Sequence, residues 1–444
     1  AKHSAKAEAL VRFWPHDDWD LYLYTFHKKE WYPGMLEQLG TRWMAHTPVS
    51  KSNGNIKNTV GGRKKPLGFR RSYRQKTRGI RKYIHHKLIR LFDQQLIKWA
   101  LPSISRVKNI ARQTKPDLVL SIYEPLAANL IARRIANLKG VPWIAYFRDH
   151  CTTYNELYRL PFLWQLQSAY DIRLHATMRN LVGVSAQFVE ILRKFYRIPV
   201  SRSHVLTGGF NDSDLPTEIR DRCIKRRKRE LSPHDEQIHP AENLLLSYVG
   251  VLYGHRVEPL VILLKALQAL ADKGVPCRLQ LILNKASDFL PSWVREMIER
   301  ARANGLITNF GTTRIPHGEA LKMLDSADVN LILEGISPPH SMAGTLTWKV
   351  FDLMMIARPA VAICAPSLPI GDYLREAGIG IDCKDSASVV ARMLDIWRWK
   401  QGGDLPSWYA PAHQVIDQYS YRGMADKLGT VLEQVYAEWQ QRDD

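Results

Sequence analysis

The chain has 444 residues, 45% of them hydrophobic and 24% charged, with a net charge of +20. That length is too great for one hydrophobic core and predicts about two or three domains. The composition is that of a globular protein, and the positive excess points to a polyanionic partner: nucleic acid, an anionic membrane surface or phosphorylated ligands.

Five cysteines (Cys151, Cys223, Cys277, Cys364, Cys383) are scattered without CxxC spacing. They read as reduced thiols in a reducing compartment, neither a zinc site nor a disulfide frame. No apolar run approaches the roughly 20 residues that span a bilayer, and no signal peptide is evident. The expected location is cytoplasmic, with any membrane contact peripheral on the inner face.

In chain order, 4–14 predicts a helix and 19–26 a strand, with a weaker strand at 41–49. A helix with no strand before it is odd in an α/β domain, so a first strand ending just before Ala1 is expected. Residues 51–90 hold 14 Lys/Arg and no Asp or Glu. They read as a solvated basic loop or as a patch for anionic lipid headgroups or a polyphosphate acceptor. Aromatics are sparse there for a nucleic-acid stacking platform.

From Phe92 a regular alternation begins: a helix to about 115, a strand in PDLVLSIYE, a helix closed by Gly140, and a strand in VPWIAYFRDH. This grammar predicts a parallel sheet with ligands at the strand C-terminal ends. Tyr123, Glu124, Arg148, Asp149 and His150 stand at such ends, where loop-anchoring ion pairs are the alternative reading. A helix at 164–180, the strand LVGVS, a helix to Phe195 and a strand in SHVLTGGFN follow. Residues 214–243 are polar and basic and read as an interdomain linker with a helical piece. A second series starts at Leu244 with LLLSYVG, CRLQLILN ending at Asn284, ITNFG and VNLILEG as strands. Its loops hold Gly254 and Arg256 after the first strand, and Ile315 with Pro316 after the third.

Residues 334–380 then give a strand end, a Gly/Ser/Pro-rich loop, a helix opening near Thr345 or Thr347, a strand and another helix. Gly344 and Thr345 at a helix mouth make a ready anion site, because free backbone N–H groups and the helix dipole converge there. Lys349 and Asp352 share one turn of that helix, so phosphate and ribose recognition can share the segment. An ordinary capped αβ unit is the alternative.

The second half resembles the nucleotide-sugar domain of retaining GT-B glycosyltransferases of family 4, notably the surface-polysaccharide branch. The matching pieces are SYVGVLYGHR, NFGTTRIPHGEALKMLDSADVNLIL and GTLTWKVFDLMMIARPAVAICAPSLPIGDYLREAGIGI. In the first half KPDLVLSIYEPLAANLIA, GVPWIAYFRD and LVGVSAQFVEILRKFY look like that family's strands and helices, and YSYRGMADKLGTVLEQVY like its C-terminal helix. The resemblance implies an α/β fold of two Rossmann-like lobes facing a cleft. It places an acceptor lobe at 1–213 with a basic insertion at 51–90, a linker at 214–243, a nucleotide-sugar lobe at 244–415, and a helix at 416–444 crossing back to the first lobe.

Carried over by position, the resemblance puts Asp352 where the family's glutamate binds ribose, one methylene shorter. Gly344 falls where the family's other glutamate contacts the sugar, a departure that leaves the donor sugar open. Arg256 falls at the phosphate-binding lysine and Val251 at its partner arginine, with Lys349 placed to supply the missing charge. Gly254, Asn284, Ile315 and Thr345 complete the implied donor site. Asp149 joins Arg256 and Lys349 as implied catalytic groups, and Arg148, His150 and Glu124 fall on the acceptor side. The implied reaction is metal-independent transfer, with retention, from a nucleoside diphosphate sugar (a UDP-sugar by default) to an anionic or lipid-linked glycan in polysaccharide biosynthesis, with no cofactor. A catalytically degenerate GT-B binding protein and a nucleotide-sugar 2-epimerase are the alternatives; no nucleic-acid module is visible.

Replacing four or five of the Lys/Arg in 51–90 by Ser is expected to reduce binding to anionic liposomes, read by co-sedimentation. Unchanged partitioning would contradict a membrane role for this segment.

Overall fold

The structure, a computed structural model, describes residue 19 and residues 22–25, 42–45, 101–123, 126–148, 161–231, 242–284, 290–313, 315–336 and 344–441. The helix expected at 4–14, the basic segment 51–90, and Glu124, Asp149 and His150 lie outside the described residues. The chain forms two compact units, one of Ala1–Leu181 with Val431–Asp444 and one of Val182–Thr430.

In the first unit β1 (Tyr22–Thr25) pairs in parallel with β2 (Arg42–Ala45). Helix α1 (Leu101–Thr114) leads to β3 (Val119–Tyr123), α2 (Leu126–Lys139) and β4 (Trp143–Phe147). β3 and β4 pair in parallel from Val119↔Trp143 to Tyr123↔Phe147. Apolar residues at helical spacing bring α1 and α2 together through Val107, Ile110, Ala111, Ile131 and Ile135. α2 stops at Gly140, whose φ of +70° few other residues adopt cheaply.

Helix α3 (Pro161–His175) is shorter than the sequence suggests, and Asn180 opens β5 (Asn180–Gly183) instead of closing the helix. His175 marks the end: its Nδ1 lies 2.8 Å from the Asp171 carbonyl and its Nε2 2.8 Å from Asn129 Nδ2. Both ring nitrogens are thus tied at a fully buried position. Within this same unit the tail of the last helix returns to early residues. Trp439 Nε1 donates to the Gly140 carbonyl at 3.2 Å, and Tyr436 meets Trp19 edge to face at 5.7 Å.

The second unit begins inside β5 and continues through α4 (Ala186–Tyr196), β6 (Ser203–Val205) and α5 (Thr217–Arg227). Ser185 caps α4 by accepting from Phe188 N at 3.1 Å, and the helix buries Phe188, Val189, Leu192 and Tyr196 along one face. Then come β7 (Leu244–Val251), α6 (Val257–Asp272), β8 (Cys277–Asn284), α7 (Ser292–Ala303), β9 (Ile307–Gly311), α8 (His317–Ser326) and β10 (Val329–Leu333). The series closes with α9 (Lys349–Ile356), β11 (Ala360–Ile363), α10 (Ile370–Glu376), β12 (Gly380–Cys383), α11 (Ser386–Lys400), α12 (His413–Asp417) and α13 (Tyr421–Gln440). The sheet is six-stranded in the order β12-β11-β10-β7-β8-β9, and its pairings are parallel. β7 and β10, adjacent at its centre, are buried on both faces, which explains their near-continuous apolar sequence.

Residues 214–243, expected as a linker, are different where they are described. α5 packs into the second unit, with Arg226 and Arg227 essentially buried despite the sequence KRRKR. Arg226 Nη1 donates to Asp325 Oδ1 at 2.9 Å and to the Ile356 carbonyl at 2.8 Å, capping the C-terminal end of α9. Burial alone pushes the Asp325 carboxyl up, but the charge of Arg226 and the hydrogen bond from Arg222 outweigh it and hold it below the usual carboxylate range. Cys223, Cys277, Cys364 and Cys383 are free and buried. Burial pushes the Cys223 and Cys364 thiols up to about 12, so they behave as small apolar groups. No helix among the described residues is long and apolar enough to cross a membrane.

Asp325→Ala strands the buried Arg226 charge and is expected to destabilise the second unit by about 3–5 kcal/mol, read by urea unfolding. A loss under about 1 kcal/mol would show that the pair is not holding the helix end.

Candidate functional site

The C-terminal end of β7 gathers two cations. β7 runs Tyr248, Val249, Gly250, Val251 into a short 3-10 turn, Gly254–Arg256. Arg256 folds back so that Nη1 donates to the Val251 carbonyl at 2.7 Å, while its guanidinium lies 4.9 Å from the centre of the Tyr253 ring. From α9, Lys349 reaches the same strand end. Its Nζ stands 4.0 Å from the Tyr248 ring centre, and a Cβ at Gly250 would fall on that Nζ. Gly250 is therefore the seat of the lysine, since any side chain there displaces the ammonium. Tyr248 is fully buried, and burial pushes its hydroxyl up to about 12 against the charge of Arg256.

Two residues the sequence reading passed over complete this cluster. Glu334, immediately after β10, is buried and grips Arg256 at two points, Oε1 to Nε at 3.1 Å and Oε2 to Nη2 at 2.6 Å. His255 Nε2 lies 2.7 Å from Glu334 Oε1, and its ring stacks on Tyr253 at 5.7 Å. Burial alone pushes the Glu334 carboxyl up; the His255 hydrogen bond and the Arg256 charge overcome this and leave it below the usual range. Glu334 keeps Arg256 charged in turn. The adjacency of β7 and β10 is what brings 255–256 to Glu334. The signal available in the sequence was an acid at the end of an apolar strand.

α9 itself begins at Lys349, later than the expected Thr345 or Thr347, and Thr347 contributes its carbonyl to Val350 N at 3.2 Å. Among the described residues no side chain caps it. Asp352 sits in its first turn, one-fifth exposed, with Oδ1 3.2 Å from His317 Nε2. His317 is the first residue of α8, directly after Ile315 and Pro316, so the Ile315 loop and Asp352 share one neighbourhood. Thr345 is half-buried in the run into α9, and Gly254 opens the turn that carries Arg256. A Cβ at Gly254 would meet nothing within 4 Å, so no steric demand explains glycine there. Asn284 closes β8 opposite Val251. Arg148 follows β4 in the first unit, where its charge opposes the burial that pushes the Tyr146 hydroxyl up to about 12.

Gly344 has a structural reason to lack a side chain. Its φ is +74°, and a Cβ would stand 2.5 Å from Phe188 N and 2.7 Å from Phe188 Cα. The obstacle is the backbone of α4, which cannot swing aside. Its carbonyl accepts from Ser185 Oγ at 2.6 Å, so the helix cap also clamps the loop.

Residues 63–214 match the family model described as Glycosyltransferase Family 4. No curated protein sequence matches the chain. A glycosyltransferase from Rickettsia africae ESF-5 has a similar structure, with a TM-score of 0.59, 12% identity, and 97% of this chain and 94% of that chain covered. Anabaena HepE in complex with UDP and glucose gives a TM-score of 0.55 at 11% identity, covering 98% of this chain and 96% of that one. Sucrose-phosphate synthase from Thermosynechococcus elongatus gives 0.51 at 12% identity, covering 78% and 80%. At these identities the likeness is one of fold: two Rossmann-like α/β lobes of the GT-B type.

Gly344→Ala is expected to cost about 1–3 kcal/mol in urea unfolding. Gly344→Glu, which restores the carboxylate of the family pattern, is expected to lower the melting temperature further without improving sugar binding. A stable and more active Glu variant would overturn this explanation.

Proposed function

We propose that this chain, which carries a family 4 glycosyltransferase domain on a GT-B fold, transfers a glycosyl unit from a UDP-sugar to an anionic or lipid-linked glycan, with retention. The observation that carries the reading is the meeting of Lys349 and Arg256 at the end of β7, within a parallel sheet, beside a helix that bears Asp352 in its first turn. Open parallel sheets bind nucleotides outside the carboxyl ends of their strands. HepE, whose fold is similar, has been captured with UDP and glucose.

In this reading the C1–O bond to the diphosphate breaks as the acceptor oxygen bonds C1 from the same face. The acceptor proton passes to a diphosphate oxygen. Negative charge grows on the leaving group, and Lys349 and Arg256 are placed to meet it. The side-chain cations fill the role a metal has elsewhere, so the reaction is written without one. Glu334 holds the guanidinium of Arg256 in a fixed plane before the diphosphate arrives. Asp352 takes the ribose. On sequence, Asp149 is assigned to catalysis, Arg148, His150 and Glu124 to the acceptor side, and residues 51–90 to an anionic surface.

A second reading, a degenerate GT-B binding protein, is favoured by one feature: Glu334 already occupies two donors of Arg256. Nucleotide release from a panel of nucleotide sugars, with and without membrane lipid extract, separates the two. Acceptor-dependent UDP release is expected for the transferase and none for the binding protein. Lys349→Ala, with its fold checked by circular dichroism, is expected to lower turnover by about 10²–10³. Wild-type turnover in that variant would remove Lys349 from the mechanism.

A further inference from the structure

Arg256 is neutralised before any ligand arrives. Glu334 takes its Nε at 3.1 Å and its Nη2 at 2.6 Å, and the Glu334 side chain is only 5% exposed. A guanidinium and a carboxylate paired in this way bring no net charge to the end of β7, where an anionic ligand gains most from one. The same carboxylate has a third partner: His255 Nε2 lies 2.7 Å from Glu334 Oε1.

Which nitrogen of His255 is open follows from the charge of Glu334. Burial pushes the Glu334 carboxyl up, but the His255 hydrogen bond and the Arg256 charge outweigh it, so the group is ionised and can only accept. Nε2 therefore carries the hydrogen, and Nδ1 is the nitrogen left to gain or lose a proton. Among the described residues Nδ1 has no partner, and the side chain is 26% exposed, so solvent reaches the ring. The imidazole stacks on Tyr253 with 17° between the planes, which holds it in place. The titratable and charged groups around this turn are Glu334 from β10, Tyr248 from β7, Tyr253 and Arg256 from the turn itself, Glu258 from the start of α6 and Lys349 from α9. Arg256 stays charged beside Glu334, and burial pushes the Tyr248 hydroxyl up to about 12.

We propose that His255 is a positioning residue that couples donor binding to the uptake of one proton. With His255 neutral, the trio of Arg256, Glu334 and His255 has no net charge. With Nδ1 protonated by solvent, the imidazolium shares the Glu334 carboxylate with Arg256, and the trio presents one positive charge to the diphosphate. No bond of the donor changes in this step, and the proton returns to solvent when the nucleotide leaves. A bound diphosphate favours the charged form, so by reciprocity donor affinity falls as pH rises through the range in which histidine loses its charge. The inference rests on the UDP-sugar reading of the same site and adds its regulation by pH.

The test is titration calorimetry of the full chain with UDP-glucose, whose diphosphate is a diester and does not titrate near neutrality. Titrations at pH 7.5 in HEPES and in Tris, which differ in ionisation enthalpy, read the protons taken up. A series from pH 6 to 8.5 at constant ionic strength reads the affinity. The wild type is expected to take up a fraction of a proton and to bind about tenfold more weakly at pH 8.5 than at pH 6. His255→Gln, whose amide keeps a neutral hydrogen bond to Glu334, is expected to take up none and to hold the weaker affinity across the series. A merely structural role would weaken binding at every pH and leave the wild-type slope intact in His255→Gln, which would overturn the proposal. So would a wild type that binds UDP-glucose with no proton uptake and no slope, and in that case the UDP-sugar reading survives. Failure of UDP-glucose to bind at any pH would overturn both.

Discussion

The second unit depends on how one eight-residue helix, Lys349–Ile356, is fixed at both ends. At its C-terminal end Arg226 donates to the Ile356 carbonyl and Tyr409 Oη to the Ala357 carbonyl at 2.8 Å. Upstream of its N-terminal end the Gly344 carbonyl takes a hydrogen bond from Ser185. Between these points six of its side chains are buried, and Lys349 and Asp352 are partly buried. A helix this short has little intrinsic stability. Its position is set by partners from distant parts of the chain, at 185, 226 and 409. The polar side chains then have little freedom to go elsewhere, which is the preorganisation that electrostatic catalysis requires.

The same logic explains why charged residues are tolerated so deep in this unit. Arg226, Arg256 and Lys400 are each largely buried, and each faces a carboxylate: Asp325, Glu334 and Asp328. Such pairs gain little over apolar packing, but removing either member is costly. Their value here is geometric. Lys400 and the Leu245 amide share Asp328, which ties α11 to the start of β7. Arg256 and Glu334 tie the end of β7 to the end of β10. The central strand is thus pinned at both ends, and the site grows from its C-terminal one.

Much of this architecture was legible in the sequence because buried parallel strands leave long apolar runs. Cys277–Asn284 and Ile307–Gly311 begin and end where the pattern places them. Lys349 could be picked out because it shares a helix turn with Asp352 behind a Gly/Thr loop, and Arg256 because the family resemblance placed a cation there. What the sequence hid was non-local. KRRKR looks like a solvated run, and only the fold shows Asp325 and the Ile356 carbonyl waiting for Arg226. Glu334 and His255 are 79 residues apart and meet because β10 lies beside β7. Gly344 looked like a lost carboxylate, whereas the structure shows a position where the backbone of α4 leaves no room for one.

The central claim is that the end of β7 receives a nucleoside diphosphate between Lys349 and Arg256. A crystal structure of the chain soaked with UDP tests it most directly. The account predicts diphosphate oxygens within about 3 Å of Lys349 Nζ and of the Arg256 guanidinium, with the ribose against α9 at Asp352. UDP bound away from β7, with Lys349 still packed on Tyr248 and Arg256 untouched, would contradict it.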